Sequence, residues 1–281
     1  MTEIKPMPFL KWPGGKRQLL PELLKRVPKT YHSYYEPFLG GGALLFALSP
    51  RAAIVSDINP VLIHSYRSLL HEPDMVNNAL RFYDDSLRHP IYGGQPFYTE
   101  LRKQFNRKIR EHAYDTDLAA MLIFLNKHGF NGLYRVNAKG KYNVPWNHSL
   151  APSTSADILR ADFLYLRNLD LRLECMDFAE AVADAGEGDF VFFDSPYAEP
   201  ADKPSFTAYT AYGFPNSEHV RLSVIFKELD KRGCHLMLTN HDTPFIRRLY
   251  DGYSIESVAV HRSINRDGAN RHGVEVIITN Y

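Results

Sequence analysis

"YEPFLGGGALLFAL", residues 35 to 48, joins one apolar run to another across three consecutive glycines, Gly40, Gly41 and Gly42. The aromatic run "SYYEPF" (33 to 38) reads as a strand, and the run from about Ala43 reads as a helix. A strand that passes into a helix over glycine lets the backbone approach a ligand closely and leaves free helix N–H groups pointing at it. A tight turn without a ligand would give the same string. The GxGxxG spacing fails, because Leu45 fills the last glycine position.

The next strand, "AAIVSD" (52 to 57), ends on Asp57. An acid there, beside a glycine turn, can accept hydrogen bonds from both hydroxyls of a ribose, so the pair points to an adenosine-containing cofactor. Asn59 and Pro60 mark a helix start, which leaves helix capping as a second reading of Asp57. Five more strands follow: "LRLECMD" (171 to 177), "DFVFFD" (189 to 194), "CHLMLTN" (234 to 240), "YSIESVAV" (253 to 260) and "GVEVIITNY" (273 to 281). Helical patterns separate several of them; Glu218 to Lys231 carries Val220, Leu222, Val224, Ile225, Phe226 and Leu229 on a broad apolar face. The fold class this predicts is α/β, a seven-stranded, mainly parallel, Rossmann-like sheet covered on both faces. Only "HRSINRDGANRH" lies between the last two strands, so they are expected to form an antiparallel hairpin at the sheet's edge.

From about Asn59 to Leu159 the alternation stops. Helices are expected over 61–70, 73–87, 97–112 and 117–126, then the loop "KHGFNGLYRVNAKGKYNVPWNHSLAPSTS" (127 to 155). The expected organisation is a sheet domain from residues 1–60 and 160–281, interrupted by a mostly helical domain at 61–159.

The 281 residues are 44% hydrophobic and 23% charged, ordinary for a globular protein, and no apolar run approaches the roughly 18 residues of a membrane span. The start lacks the apolar core of a signal peptide. Only two cysteines, Cys175 and Cys234, are present, so a reducing cytoplasm is expected, with both thiols in the core. A net charge of +1 gives no global case for a polyanionic partner. Between Glu100 and Leu150, however, nine basic residues stand against four acidic ones. That cluster reads either as a solvated helix face or as a nucleic-acid surface.

"VFFDSPYAEP" (191 to 200) places Asp194, Ser195, Pro196 and Tyr197 at a strand's carboxyl end, where open α/β sheets bind ligands. The exocyclic amine of a nucleobase is a poor nucleophile because its lone pair is delocalised into the ring. Accepting its two hydrogens, one at the Asp194 carboxylate and one at a backbone carbonyl in the turn, favours a pyramidal nitrogen that can attack. Tyr197 would supply a stacking face for a base taken out of its duplex. A plain turn is the competing account. In "FLKWPGGKRQLL" (9 to 20) the GGK string is not a phosphate loop, since Arg17 replaces Ser or Thr and no strand precedes it. Trp12 and Lys16 could close one wall of a cofactor pocket, or the string could simply begin a helix.

Taken in order, these strings resemble the Dam-type (D12 class, alpha group) DNA adenine N6-methyltransferases over essentially the whole chain. The matching strings are "KWPGGK" (11 to 16), "EPFLGGG" (36 to 42), "DIN" (57 to 59), "FNGLYRVNAKGKYNVP" (130 to 145), "NHDT" (240 to 243) and "RSI" (262 to 264). The resemblance implies S-adenosyl-L-methionine as methyl donor, bound by Trp12, Lys16, Phe38, Gly40, Gly42, Asp57, Asp177, Phe178 and Asp194. It implies direct transfer to N6 of a flipped adenine in double-stranded DNA, at GATC or a related short site. The sequence agrees that no thiol nucleophile is used, since neither cysteine follows a proline as cytosine C5 chemistry requires.

By resemblance, Arg135 reaches a guanine edge, Leu133 a thymine methyl, and Phe130 with Asn131 the gap left by the flipped base, while Lys11 reaches the first guanine. Asn143 and Pro145 belong to the same DNA-binding segment, Arg102 would hold phosphate, and Asn131 and Asn137 could instead be loop caps. Ser195 stands where the family has proline, and "WNHS" (146 to 149) where relatives have an aromatic-Gly-Arg-Tyr run. A non-catalytic DNA-binding relative, and an enzyme acting on RNA or on cytosine N4, are the alternatives. No metal and no membrane are expected; a monomer is, and a restriction endonuclease is a possible partner.

Overall fold

The structure is a computed structural model that describes residues 5–12, 14, 16, 18–153, 156–198, 213–261 and 272–281. The "RSI" string, and Pro13 and Gly15 of "KWPGGK", lie outside the described residues. All seven expected strands form: β1 (Tyr34–Glu36), β2 (Ala52–Ser56), β3 (Asp170–Glu174), β4 (Phe190–Phe193), β5 (His235–His241), β6 (Ser254–His261) and β7 (His272–Thr279). They make one sheet in the order β3-β2-β1-β4-β5-β7-β6. The first five strands run parallel, and β7 enters antiparallel between β5 and β6. The last two strands are the expected antiparallel pair, with β6 outermost.

Alternation along each strand feeds two cores. Phe190 and Phe192 join Tyr34, Val55, Met237 and Ile277 on one face. Val191 and Phe193 join Tyr35, Leu236, Leu238 and Ile278 on the other. Because β4 is covered on both faces, "FVFF" is fully apolar, and each side chain contributes roughly 1.5–3 kcal/mol by its burial. The second face is covered by α8 (Phe178–Ala181), α9 (Asn216–Lys231) and α10 (Pro244–Leu249). The apolar face of α9 is narrower than its sequence suggests: Leu222, Phe226 and Leu229 are buried, whereas Val220 and Val224 are exposed.

The first face carries α1 (Leu20–Arg26), α2 (Ala43–Leu48), α3 (Pro60–His71), α4 (Pro73–Leu87), α5 (Gly94–Arg110), α6 (Thr116–His128) and α7 (Ala156–Asn168). Helix α6 is buried all round, from Leu118 to Asn126. Helices α3, α4 and α5 pack around it, which is why its sequence shows no polar face. Helix α7 runs through the boundary expected at residue 159, and one apolar cluster joins α3–α7 to the sheet. Among the described residues no helix is long and apolar enough to cross a membrane.

Cys234 is buried, but Cys175 is exposed, contrary to the expectation for both thiols. It follows β3, which is the edge strand, and solvent reaches the chain there.

Candidate active site

The strand order places the topological switch between β1 and β4, with β2 on one side and β5 on the other. Ligands bind at the carboxyl ends of parallel strands at such a switch. Three segments singled out in the sequence meet there: the glycine turn after β1, Asp57 after β2, and Asp194 after β4.

The glycine turn needs its glycines. Gly40 and Gly42 have φ of 49° and 66°, the left-handed region, and Gly42 is the residue from which α2 starts. A Cβ on Gly40 would stand 2.7 Å from Trp12 Cδ1, so the Trp12 indole packs directly on the turn. On its other side the indole stacks on Tyr134, with ring centroids 4.7 Å apart. Asp57 staples this turn to β2: its Oδ2 accepts from Gly40 N–H at 3.0 Å and its Oδ1 from Asn59 N–H at 2.9 Å. Burial pushes its carboxyl up to about 6 against those bonds. The cap of α3 is Asn59, whose side chain accepts from Val61 and Leu62 N–H, so helix capping does not account for Asp57.

Phe38, after β1, stacks on Phe178 with centroids 5.2 Å apart, and Phe214 meets Phe38 edge-on at 5.8 Å. Asp177 caps α8 through Ala179 N–H and is gripped by both arms of Arg221, which also lies 4.4 Å over the Phe178 ring. Burial pushes the Asp177 carboxyl up, and Arg221 with Ala179 N–H outweighs it, holding the group below the usual carboxylate range. Phe38, Phe178 and Phe214 thus form one aromatic cluster at the carboxyl end of the sheet, beside the Asp177–Arg221 pair.

Asp194 follows the buried end of β4. Lys16 Nζ lies 2.6 Å from its Oδ1, and Thr239 donates to the same oxygen at 2.8 Å. Both donors converge on Oδ1. Burial raises the Asp194 carboxyl above its ordinary value, while Lys16 and Thr239 pull it back. Lys16 is itself only 5% exposed and stands 4.4 Å from the centroid of the Tyr197 ring, so one ammonium touches both members of the motif. The buried Ser195 hydroxyl receives Asn240 Nδ2 at 3.4 Å, and Asn240 Oδ1 accepts from Ala198 N–H at 2.9 Å. Asn240 of "NHDT" therefore moulds the turn from below, a restraint that partly stands in for the ring of proline.

Beneath the site, Glu36 is 2% exposed and receives the Tyr34 hydroxyl at 2.8 Å. Burial pushes its carboxyl up to about 8, so it stays protonated at neutral pH. The folded value lies above the ordinary 4.5, so this group's stabilisation is complete at low pH and is lost as pH rises through about 8. Between pH 5 and 8.5, wild-type unfolding free energy is expected to fall relative to Glu36→Gln, by up to about 1.4 kcal/mol per pH unit. Denaturant titrations at several pH values check this; a constant difference contradicts it.

The DNA-directed residues divide into two groups. Phe130 is 52% exposed, Asn131 is exposed at φ 56°, and both lie in the short 3-10 turn Phe130–Gly132, with half-buried Leu133 following. Lys11 lies against this turn, since a Cβ on Gly132 would stand 2.4 Å from Lys11 Cδ. Arg135 is exposed, and its Nε donates to Asn143 Oδ1 at 2.8 Å, so Asn143 braces it from behind. Exposed Pro145 closes the loop by accepting Phe130 N–H at 2.8 Å. Two residues sit apart from this surface group. Arg102 donates to Val144 O at 2.8 Å and packs on Tyr98, so it ties the loop to α5. Asn137 accepts from Lys139 and Lys141 N–H, which makes it the cap of its own turn.

Sequence reasoning missed Asn126, Thr239, Arg221 and Phe214. Asn126 is 2% exposed; it exchanges two 2.8 Å bonds with the Lys11 backbone and donates a third to Gly132 O at 3.0 Å. Its signal was a lone polar residue within the apolar α6.

The sequence model of the D12 class N6 adenine-specific DNA methyltransferases matches residues 12–264. The chain is 35% identical to the Type II methyltransferase M1.LlaDCHI of Lactococcus lactis subsp. cremoris, over 100% of this chain and 97% of that one. It is 36% identical to the Type II methyltransferase M.MjaIII of Methanocaldococcus jannaschii, over 99% and 100%. To a DNA adenine methylase of Vibrio cholerae it is 32% identical, over 96% and 94%. With the sheet, the glycine turn and the Asp194 motif in this arrangement, the chain belongs to the D12 class of N6 adenine-specific DNA methyltransferases.

Proposed function

We propose that the protein transfers the methyl group of S-adenosyl-L-methionine to N6 of an adenine flipped out of duplex DNA, at GATC or a related short site. The observation that carries this reading is the position of Asp194, across the β1/β4 switch from the glycine turn. The donor set fits the methyl donor: Phe38 and Phe178 for its adenine, Asp57 for its ribose, and the Gly40–Gly42 turn with Trp12 and Lys16 as the wall. S-adenosyl-L-methionine supplies a methyl group on a sulfonium, which a nitrogen lone pair attacks directly.

The chain's own residues prepare that nitrogen. Asp194 accepts one amine hydrogen and the backbone carbonyl of Ser195 accepts the other, while Lys16 favours the charged form of Asp194 against its burial. Its raised basicity also suits it to take the proton the nitrogen sheds. Tyr197 supplies the stacking face. Segment 61–159 works as the target-recognition part, reading sequence through Phe130, Asn131, Leu133 and Arg135, with Lys11 of the sheet part beside them. The oligomeric state proposed is a monomer. The two Type II relatives support a partner restriction endonuclease, and a DNA substrate supports a cytoplasmic place of action.

Asp57→Ala is expected to weaken S-adenosyl-L-methionine binding about tenfold, because ribose bonds to a charged acceptor are lost and the glycine turn is unstapled. Titration calorimetry measures it. An unchanged dissociation constant in a folded variant removes Asp57 from the site.

A further inference from the structure

Tyr197 is held from three sides. Its hydroxyl donates to Glu275 Oε2 at 2.7 Å. The His241 ring meets it edge to face, with centroids 4.8 Å apart and planes at 70°. Lys16 occupies one of its faces. Glu275 and His241 stand directly opposite each other in the antiparallel register of β5 and β7. One cross-strand pair, from a part of the sheet outside the Asp194 motif, therefore supplies two of the three restraints. His241 Nδ1 also lies 2.9 Å from Ala198 O. A carbonyl only accepts, so that nitrogen carries the proton, and the pair grips residues 197 and 198 together.

A phenol fixed at its hydroxyl and packed against the His241 ring cannot swing out of plane. A stacking face must be set before the base arrives, and a loose ring would cost order at the reacting centre more than it costs DNA affinity, which phosphate contacts supply.

We propose that Glu275 is a positioning residue for methyl transfer: by accepting the Tyr197 O–H, opposite His241, it fixes the plane of the Tyr197 ring beside Asp194. This rests on reading residues 194–197 as the pocket for the target base.

The test is single-turnover transfer of a labelled methyl group to duplex DNA by wild type, Glu275→Leu, Glu275→Gln, Tyr197→Phe, Tyr197→Phe/Glu275→Leu and Tyr197→Ala. Glu275→Leu and Tyr197→Phe remove the same bond from its two ends, the latter together with the hydroxyl's contact to Thr239. Each is expected to slow transfer about tenfold while the KM for DNA stays within about twofold. Glu275→Gln keeps an acceptor and should restore the rate to within about twofold, and the double variant should be no slower than either single one. If Glu275→Leu does not fold, Tyr197→Phe and Glu275→Gln still carry the comparison. A wild-type rate in Glu275→Leu or Tyr197→Phe overturns the proposal, as do a Glu275→Gln as slow as Tyr197→Phe and losses that multiply in the double variant. Tyr197→Ala separates the two readings. If it is inactive while Glu275→Leu is unaffected, only the role of Glu275 fails; if it is fully active, the pocket reading itself fails.

Discussion

Asp194→Ala is expected to lower the rate of methyl transfer by about 10³-fold or more, while DNA affinity at fixed salt changes little. The carboxylate is the acceptor that draws electron density onto the amine nitrogen, and among the described residues that follow it, 195 to 198, none is charged. Removing it also leaves the Lys16 ammonium buried beside Tyr197 without its counter-ion, which by itself destabilises the fold. Asp194→Asn separates these effects, because it keeps the shape and one acceptor oxygen but not the charge. Both variants should fail in single-turnover assays while retaining DNA binding by gel shift. Turnover near wild type in either one would overturn the amine-activating role.

Arg135→Ala should cost about 1 to 3 kcal/mol of discrimination at one base position, with sites altered at that position becoming relatively better substrates. Asn143 accepts from its Nε at 2.8 Å and, more loosely, from one terminal nitrogen at 3.4 Å, which orients the exposed guanidinium. For that reason Arg135→Lys should lose discrimination too, since a lysine offers one point where the guanidinium offers two. A phosphate-binding arginine behaves differently: its loss weakens all sequences nearly equally and lowers the salt slope by about one unit. Competition between the preferred site and single-base variants distinguishes the outcomes.

The strands were legible because local chemistry dictates them. "FVFF" is apolar on both faces, and the glycine turn is required by positive φ at Gly40 and Gly42. Asp57, Asp194 and the Phe130–Leu133 turn were legible as residues at element ends, where side chains reach a ligand. What stayed hidden depends on partners distant in sequence. Nothing in the string around Arg102 points to Val144, 42 residues on, whose carbonyl accepts from its guanidinium. Asn126 and Lys11 lie 115 residues apart, and Tyr197 and Glu275 lie 78 apart. No period or spacing joins such pairs; only folding does. Cys175 misled because thiol burial is a composition rule, while its exposure follows from the place of β3 at the sheet's edge.

The central claim is methyl transfer to adenine N6 at a short site read by the Lys11, Phe130–Leu133 and Arg135 surface. Its most direct test is to incubate the protein with S-adenosyl-L-methionine and DNA of mixed sequence, then map the modified base at single-nucleotide resolution. The result expected is N6-methyladenine confined to one short sequence, GATC or a close variant, with a guanine position that loses its influence in Arg135→Ala. Methyl groups on cytosine N4, adenine methylation without sequence preference, or unmodified DNA from a folded protein would contradict it.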